Sequence, residues 1–428
     1  MLTNNRPALA CSVFFFAIFI AADAVVADSP RHTLVVPASD TVLHLAVPLP
    51  GDVKIEKTKG WQLVEVDGPD AKITVKIPAE LIAGIGADGS LAAGSSRLVA
   101  DIPPRPGAKS PRRFRLETAE PAAAKTFRFE DINDKSIKLS EGDSPVFVYN
   151  HGTITDESIP KNDSRRSRGC YVHPLWGLNG EVLTEDFSKD HFHHHGIFWA
   201  WPHVNVDGKA YDLWTYRKIR PRFVRWMYRQ SGSITGVLGV ENGWFVGDKK
   251  VMVERVWLRS FKADNESRAL DIEFAWIPVD KAVTLQGAGA KSYGGLNMRL
   301  NVWPRRDAII TTPHGATEHE GSGMGSPTDI SNKPLPWADI STHIPGCPVR
   351  SGAAVFVPPS HPDYPPTWLT RHYGPLCVGW PGVKARTFQP GEVIRLSYRI
   401  WIHKNAVDLD RLKQVYEGYT ATEKAVWE

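Results

Sequence analysis

Cysteine is scarce, with four in 428 residues and no Cys-x-x-Cys pair. That count excludes a disulfide framework and a thiolate-rich zinc site. Cys11 falls in the N-terminal segment, so Cys170, Cys347 and Cys377 remain for one bridge at most. An excess of one charge is also missing. Fifty-one Lys+Arg stand against 47 Asp+Glu, a net +4 that is scattered along the chain, which excludes nucleic acid as the partner. Beyond the N-terminal segment no apolar run is long enough to cross a bilayer as a helix. Fixed catalytic signatures are absent too. There is no Gly-x-Ser-x-Gly elbow, no His-Glu-x-x-His and no dinucleotide fingerprint, and Gly287–Ser292 lacks the spacing of a phosphate loop.

The abundant residues are 15 Trp, 33 Pro and 35 Gly. Together with short apolar runs they indicate an all-β protein with long loops. Tryptophan in such numbers fills cores, and it also suits a surface on which sugar rings stack.

Residues 1–27 read as a signal peptide. Arg6 precedes an apolar run from Ala8 to Ala22, and Val25-Val26-Ala27 offers small residues for cleavage after Ala27. That run, of about 15 residues, is shorter than the roughly 20 needed to span a bilayer. The expectation is export to the periplasm or the outside of a bacterial cell, with no membrane contact after cleavage. Residues 28–120 then alternate short β-like runs, such as Leu43–Val47, Trp61–Val66 and Lys72–Ile77, with turn residues. They read as a small accessory β-sandwich domain. Pro121–Ala124 is the expected linker, and 125–428 the large domain.

In the large domain, Val251–Leu258 and Ala269–Trp276 alternate as half-buried strands do. In Glu392–His403, Ile394, Leu396, Tyr398, Ile400 and Ile402 share one face, and Arg395, Ser397, Arg399 and His403 share the other. One helix is expected over Asp408–Thr420, from the spacing of Leu409, Leu412, Val415 and Tyr416. The fold class is therefore a large antiparallel two-sheet sandwich preceded by a small β-domain.

Chemistry concentrates between 150 and 216. Four histidines occur in Asp190-His191-Phe192-His193-His194-His195-Gly196. An early start of the following strand would send His191, His193 and His195 to one side and His194 to the other. Paired imidazoles serve as acid and base or as metal ligands. His173 and Arg168 lie upstream, Trp199 and Trp201 follow directly, and Asp212 and Trp214 lie downstream; together they are the parts of a polar-ligand site. Glu254 shares a strand face with Met252, Val256 and Leu258. A carboxylate there suits a general acid or base, or else is held by an arginine such as Arg299. His361 and Arg371 add polar groups in late loops.

The runs Arg168–Pro174, Leu183-Thr-Glu-Asp186-Phe187 and Asp190–Gly196 resemble the bacterial family labelled "methane oxygenase PmoA". Gly294-Gly295-Leu296-x-x-Arg299, Pro366-Thr-Trp368, Arg371-x-Tyr373-Gly374 and Gly391-Glu392 fit the same pattern, over roughly residues 125 to 405. The resemblance implies an exported protein of polysaccharide-degrading bacteria, with an architecture similar to the galactose-mutarotase supersandwich. One departure is His195, where the family often has Arg.

Three functions fit these observations. The first is a carbohydrate-active enzyme, an epimerase, lyase or hydrolase. In it His191, His193, His194, His173 and Glu254 supply acid–base chemistry, while Arg168, Trp199, Trp201, Asp212, Trp214, His361 and Arg371 bind a sugar or uronate, and no cofactor is needed. The second is a copper, zinc or iron enzyme with the metal on His191, His193 and His194. The third is a non-catalytic glycan-binding protein that uses the same cleft.

Overall fold

The alternation of the long strands sets the architecture. In the strand Ser267–Pro278, Leu270, Ile272, Phe274 and Trp276 face the main core, and Asp271 and Glu273 point the other way. Its neighbour Ile394–Lys404 turns Ile394, Leu396, Tyr398, Ile400 and Ile402 to the same core. Period-two side chains make each strand two-faced, and the faces add up across the sheet.

The computed structural model describes residue 1 and residues 32–428 except 54, 56–58, 67–72 and 123. The leader expected over 1–27, apart from Met1, lies outside the described residues. The fold is all-β, and its strands pair antiparallel throughout. One nine-stranded sheet runs in space from Ser331–Pro334 through Thr367–Thr370, Pro375–Gly379, Gly295–Arg299, Ile197–Ala200 and Tyr171–Leu175 to Phe127–Asn133. A second, from Arg220–Ser231 to Gly315–Glu318, carries the long central strands. The largest apolar cluster lies between these two sheets. Much of the tryptophan surplus is core: Trp201, Trp244, Trp276, Trp337, Trp368 and Trp380 are fully buried.

A third layer covers the outer face of the second sheet. It is a seven-stranded sheet formed from residues 33–119 and closed by Val426–Trp427 from the C-terminus. Beside it lies the one α-helix among the described residues, Leu409–Ala421, capped by the Asp408 side chain on the Arg411 N–H. Leu412 and Tyr419 of the helix pack on Trp337, Phe356 and Trp401. Among the described residues, no helix is long and apolar enough to cross a membrane. Cys170, Cys347 and Cys377 are all free.

The polar outer face is thus buried between layers, and its charges must compensate one another. Arg399 holds Asp271 at 2.6 Å, and Arg259 holds it at 3.0 Å. Arg97 reaches Glu273 from the third layer at 2.9 Å. Burial acts upward on the Asp271 carboxyl, but Arg399 and Arg259 outweigh it and bring it down to about 2. Arg399 has no other carboxylate among the described residues. Asp271→Ala should therefore cost about 3–5 kcal/mol, the usual penalty for stranding one partner of a buried ion pair. A urea titration of the purified variant checks this, and an unchanged midpoint would contradict it.

Candidate functional site

The site sits at one end of the first sheet. Arg299 ends its strand by donating its backbone N–H to the Gly196 carbonyl, and Leu300 continues to the Gly374 carbonyl. Glu185 N–H donates to the Arg299 carbonyl, so the loop 183–196 lies across these strand ends. A side chain at Gly196 would run into the Val172 carbonyl oxygen and His173, which is why the chain can pass here only as glycine.

The histidine segment is a turn. His191 N–H donates to the Ser188 carbonyl at 2.9 Å and His194 N–H to the His191 carbonyl at 2.8 Å. Extended structure begins only at Ile197. The expected alternation of His191, His193 and His195 against His194 therefore fails. The turn instead gathers His191, His193 and His194 and sends His195 elsewhere. His191 stacks on His194 at 4.6 Å and on Tyr373 at 5.2 Å, with interplanar angles of 10° and 4°. His193 stands edge-on to His194 at 4.7 Å and to His191 at 5.5 Å. Trp214 lies 6.2 Å from His193 and itself packs on Phe198 and Tyr293.

Arg299, 0% exposed, frames this group. Its Nε donates to Glu185 Oε2 at 3.0 Å, and its Nη2 to both Asp190 oxygens at 2.9 and 3.0 Å. Nη1 lies 3.4 Å from His194 Nδ1, and the guanidinium covers the Tyr373 ring. Facing a permanent donor, His194 Nδ1 takes the acceptor role, which puts the ring proton on Nε2. Burial, then His193 and Arg299, hold His194 well below the usual histidine range. Burial, then His191, Arg165, His195 and Arg168, bring His193 down to about 3. Asp190 Oδ2 is 3.2 Å from His191 Nδ1 but misaligned for a hydrogen bond. Nδ1 of His191, Nδ1 of His193 and Nε of Arg168 are buried without a hydrogen-bond partner.

His195 belongs to a second group. Its Nδ1 is 2.6 Å from Asp186 Oδ1, and Tyr171 Oη donates to Asp186 Oδ2 at 2.6 Å. Burial lowers His195 to about 4 against the pull of Asp186. His173 bonds Thr184 Oγ1 at 3.0 Å, and burial lowers it as well. Pairs of this type recur away from the site, as His343–Asp307 at 2.6 Å and His403–Asp339 at 2.9 Å. An Asp–His pair is therefore a structural device in this protein, whereas three imidazoles in mutual contact set the 190s cluster apart.

Of the residues expected at the site, His191, His193, His194, Trp214 and Arg168 come together, with His173 behind Gly196. The others lie elsewhere. Glu254 is sealed in the core, where its carboxylate accepts from Asn242 Nδ2 and from Trp244 and Trp276 Nε1 at 2.7–2.9 Å. Arg299 is not its partner. Trp199 packs on Phe274, and Trp201 donates to the Trp380 carbonyl; both are core. His361 lies in the core beside Tyr398 and Trp380. Arg371 spends its donors on the carbonyls of Ile330 and Thr370 and on Ser331 Oγ. Asp212 caps the turn that carries Trp214, accepting from the N–H groups of Trp214 and Thr215. Glu185, Asp190, Tyr373 and Arg299 were not expected as site residues. Asp190 adjoins His191 in sequence, but nothing local marks the other three as its neighbours.

Among the described residues, no set of three or more His, Cys, Asp or Glu is arranged to hold a metal ion. The stacked planes of His191 and His194 give the reason. Imidazole lone pairs lie in the ring plane, so two parallel rings do not aim at one ion.

A family model described as "Family of unknown function (DUF6807)" matches residues 136–417. The resemblance to the methane oxygenase PmoA family is thereby corrected: the family found over these residues is a different one. No curated protein matches the chain.

The depressed histidines make stability depend on pH in a definite sense. An unfolded histidine takes up its proton near 6.5, whereas folded His195 and His361 do so only near 4. Between these values the unfolded chain holds the extra protons, so stability falls as pH falls from 6.5 toward 4. Each such histidine contributes a slope of about 1.4 kcal/mol per pH unit. Urea unfolding between pH 7 and 4.5 should show the decline, and His361→Leu should remove about one histidine's share of it. An unchanged slope in that variant would contradict the assignment.

Proposed function

The chain belongs to the family of unknown function DUF6807, and we propose that it is an exported carbohydrate-active enzyme that works by histidine acid–base chemistry. The observation that carries this reading is the contact cluster of His191, His193 and His194 beside the Arg299–Asp190–Glu185 frame. His193 is neutral at working pH and has a buried nitrogen without a partner. A neutral imidazole accepts a proton, which makes His193 the base. His191, only partly buried and with an Asp190 oxygen 3.2 Å from its Nδ1, is the neighbouring imidazole placed to act as the acid. The proton leaves carbon or a hydroxyl for His193 and returns from His191. Tyr293 and Tyr373, the partly exposed rings at the edge of the cluster, supply apolar surface of the kind a sugar contacts.

In this reading the carboxylates differ from the one the sequence pattern suggested. Glu254 is enclosed by indoles in the core, so the acidic partners of the reading are Asp190 and Glu185. The Trp214 turn, held by Asp212, shields the imidazoles on one side. Because burial and positive neighbours depress His193, the base is weak in the free protein and strengthens when substrate brings negative charge.

The test is a screen of the purified protein against neutral sugars, uronates and their oligosaccharides, reading elimination, epimerisation and hydrolysis. On the substrate found, His193→Gln should lower kcat by about 10²–10⁴-fold, with circular dichroism unchanged. Binding of glycans without turnover by the wild type would instead identify a glycan-binding protein. Turnover untouched by His193→Gln would remove His193 from the chemistry.

A further inference from the structure

Six arginines are almost wholly buried, and five follow one rule. Arg112, Arg259, Arg268, Arg299 and Arg399 each hold a carboxylate within 3.0 Å. Arg168, 2% exposed, holds none among the described residues. A guanidinium out of water with no counter-charge is strongly destabilising unless something else compensates it.

What surrounds Arg168 orients it without neutralising it. Its guanidinium lies between the rings of Phe198 and Tyr216, at 4.7 and 4.6 Å from their centroids. These faces attract a cation, but more weakly than a carboxylate does. Nη1 makes one long hydrogen bond, 3.4 Å, to the Trp214 carbonyl. Nε is buried without a partner, and Nη2 makes no hydrogen bond among the described residues. The Nε–Nη2 edge is therefore free, and that edge matches the two oxygens of a carboxylate.

Arg168 is a neighbour of the histidine cluster. Phe198, which supports Arg168, also contacts His194, His195 and Trp214. Trp214, whose carbonyl Arg168 bonds, contacts His193. We infer that the site takes an acidic sugar, a uronate, and that Arg168 pairs with its carboxylate. This inference rests on the reading of the site as a carbohydrate site. It accounts for a buried cation kept at a cost to stability, as functional sites commonly do. It also supplies the negative charge that His193 needs. Arg168 is one of the groups that hold His193 low, and pairing it with a carboxylate removes that one contribution.

The experiment compares D-galacturonate and oligogalacturonides with D-galactose and inorganic phosphate by isothermal titration of the full chain. The variants are Arg168→Met and Arg168→Lys. The wild type should bind the uronate probes at least tenfold more tightly than galactose or phosphate. Arg168→Met should lose that preference while its thermal midpoint stays level or rises, because an unpaired buried charge has been removed. If Arg168→Met fails to fold, Arg168→Lys, which keeps the charge but lacks the planar edge, carries the test and should show the same loss. Equal binding of galactose and galacturonate overturns the inference, as does equal binding of phosphate. A uronate preference that survives in the folded variant overturns it too, leaving Arg168 a structural residue. Failure here is distinguishable from failure of the acid–base reading. His193→Gln-sensitive turnover of neutral sugars alone refutes the uronate and keeps the chemistry. Arg168-dependent uronate binding without His193-dependent turnover does the reverse.

Discussion

The site is organised by the burial of Arg299. A fully buried guanidinium must be compensated, and here the compensation comes from Glu185 and Asp190 on a single loop. Backbone bonds from Glu185 and to Gly196 tie the same loop to the strand that carries Arg299. With both ends held, the intervening segment closes as a turn, and that turn brings His191, His193 and His194 into contact. Burial decides most of the protonation. Out of water and crowded by other imidazoles and arginines, with Arg299 adding to the effect on His194, His194 and His193 stay neutral, and Asp190 stays ionised despite the upward pull of burial.

The same requirement runs through the rest of the molecule. Stacking a third layer on a sheet face that carries arginines and carboxylates buries many charges at once, and the fold meets this with shared partners, as where Asp271 serves both Arg259 and Arg399. The Asp–His pairs are smaller versions of the same arrangement. Against that background Arg168 stands out, since it is enclosed by aromatic faces and lacks a carboxylate. The other buried arginines are neutralised, and this one is left unpaired near the histidine cluster.

The fold was largely legible in the sequence. Ile394 to Ile402 announced a two-faced strand, and the residues assigned to its inner face do line the main core. The helix expected over Asp408–Thr420 forms over Leu409–Ala421 with Asp408 as its cap. The site was legible only in part. A cluster of histidines drew attention to the right loop, but its geometry was misread, because contacts of the turn with distant strands override the local preference for extension. Glu254 shows a different limit. Its apolar strand face is real, but so is the indole cage from the neighbouring strands, which makes it a satisfied core carboxylate.

The division has a physical cause. Strand faces and helix stripes are local periodicities of two and 3.6 residues, so the sequence by itself determined an all-β chain, the orientation of its long strands and its one described helix. Convergence of polar groups is not periodic. Arg299 meets His194 across 105 residues and Arg168 meets the Trp214 carbonyl across 46. Only the tertiary structure decided which buried charges found partners and which did not, because that balance depends on what the whole fold removes from water.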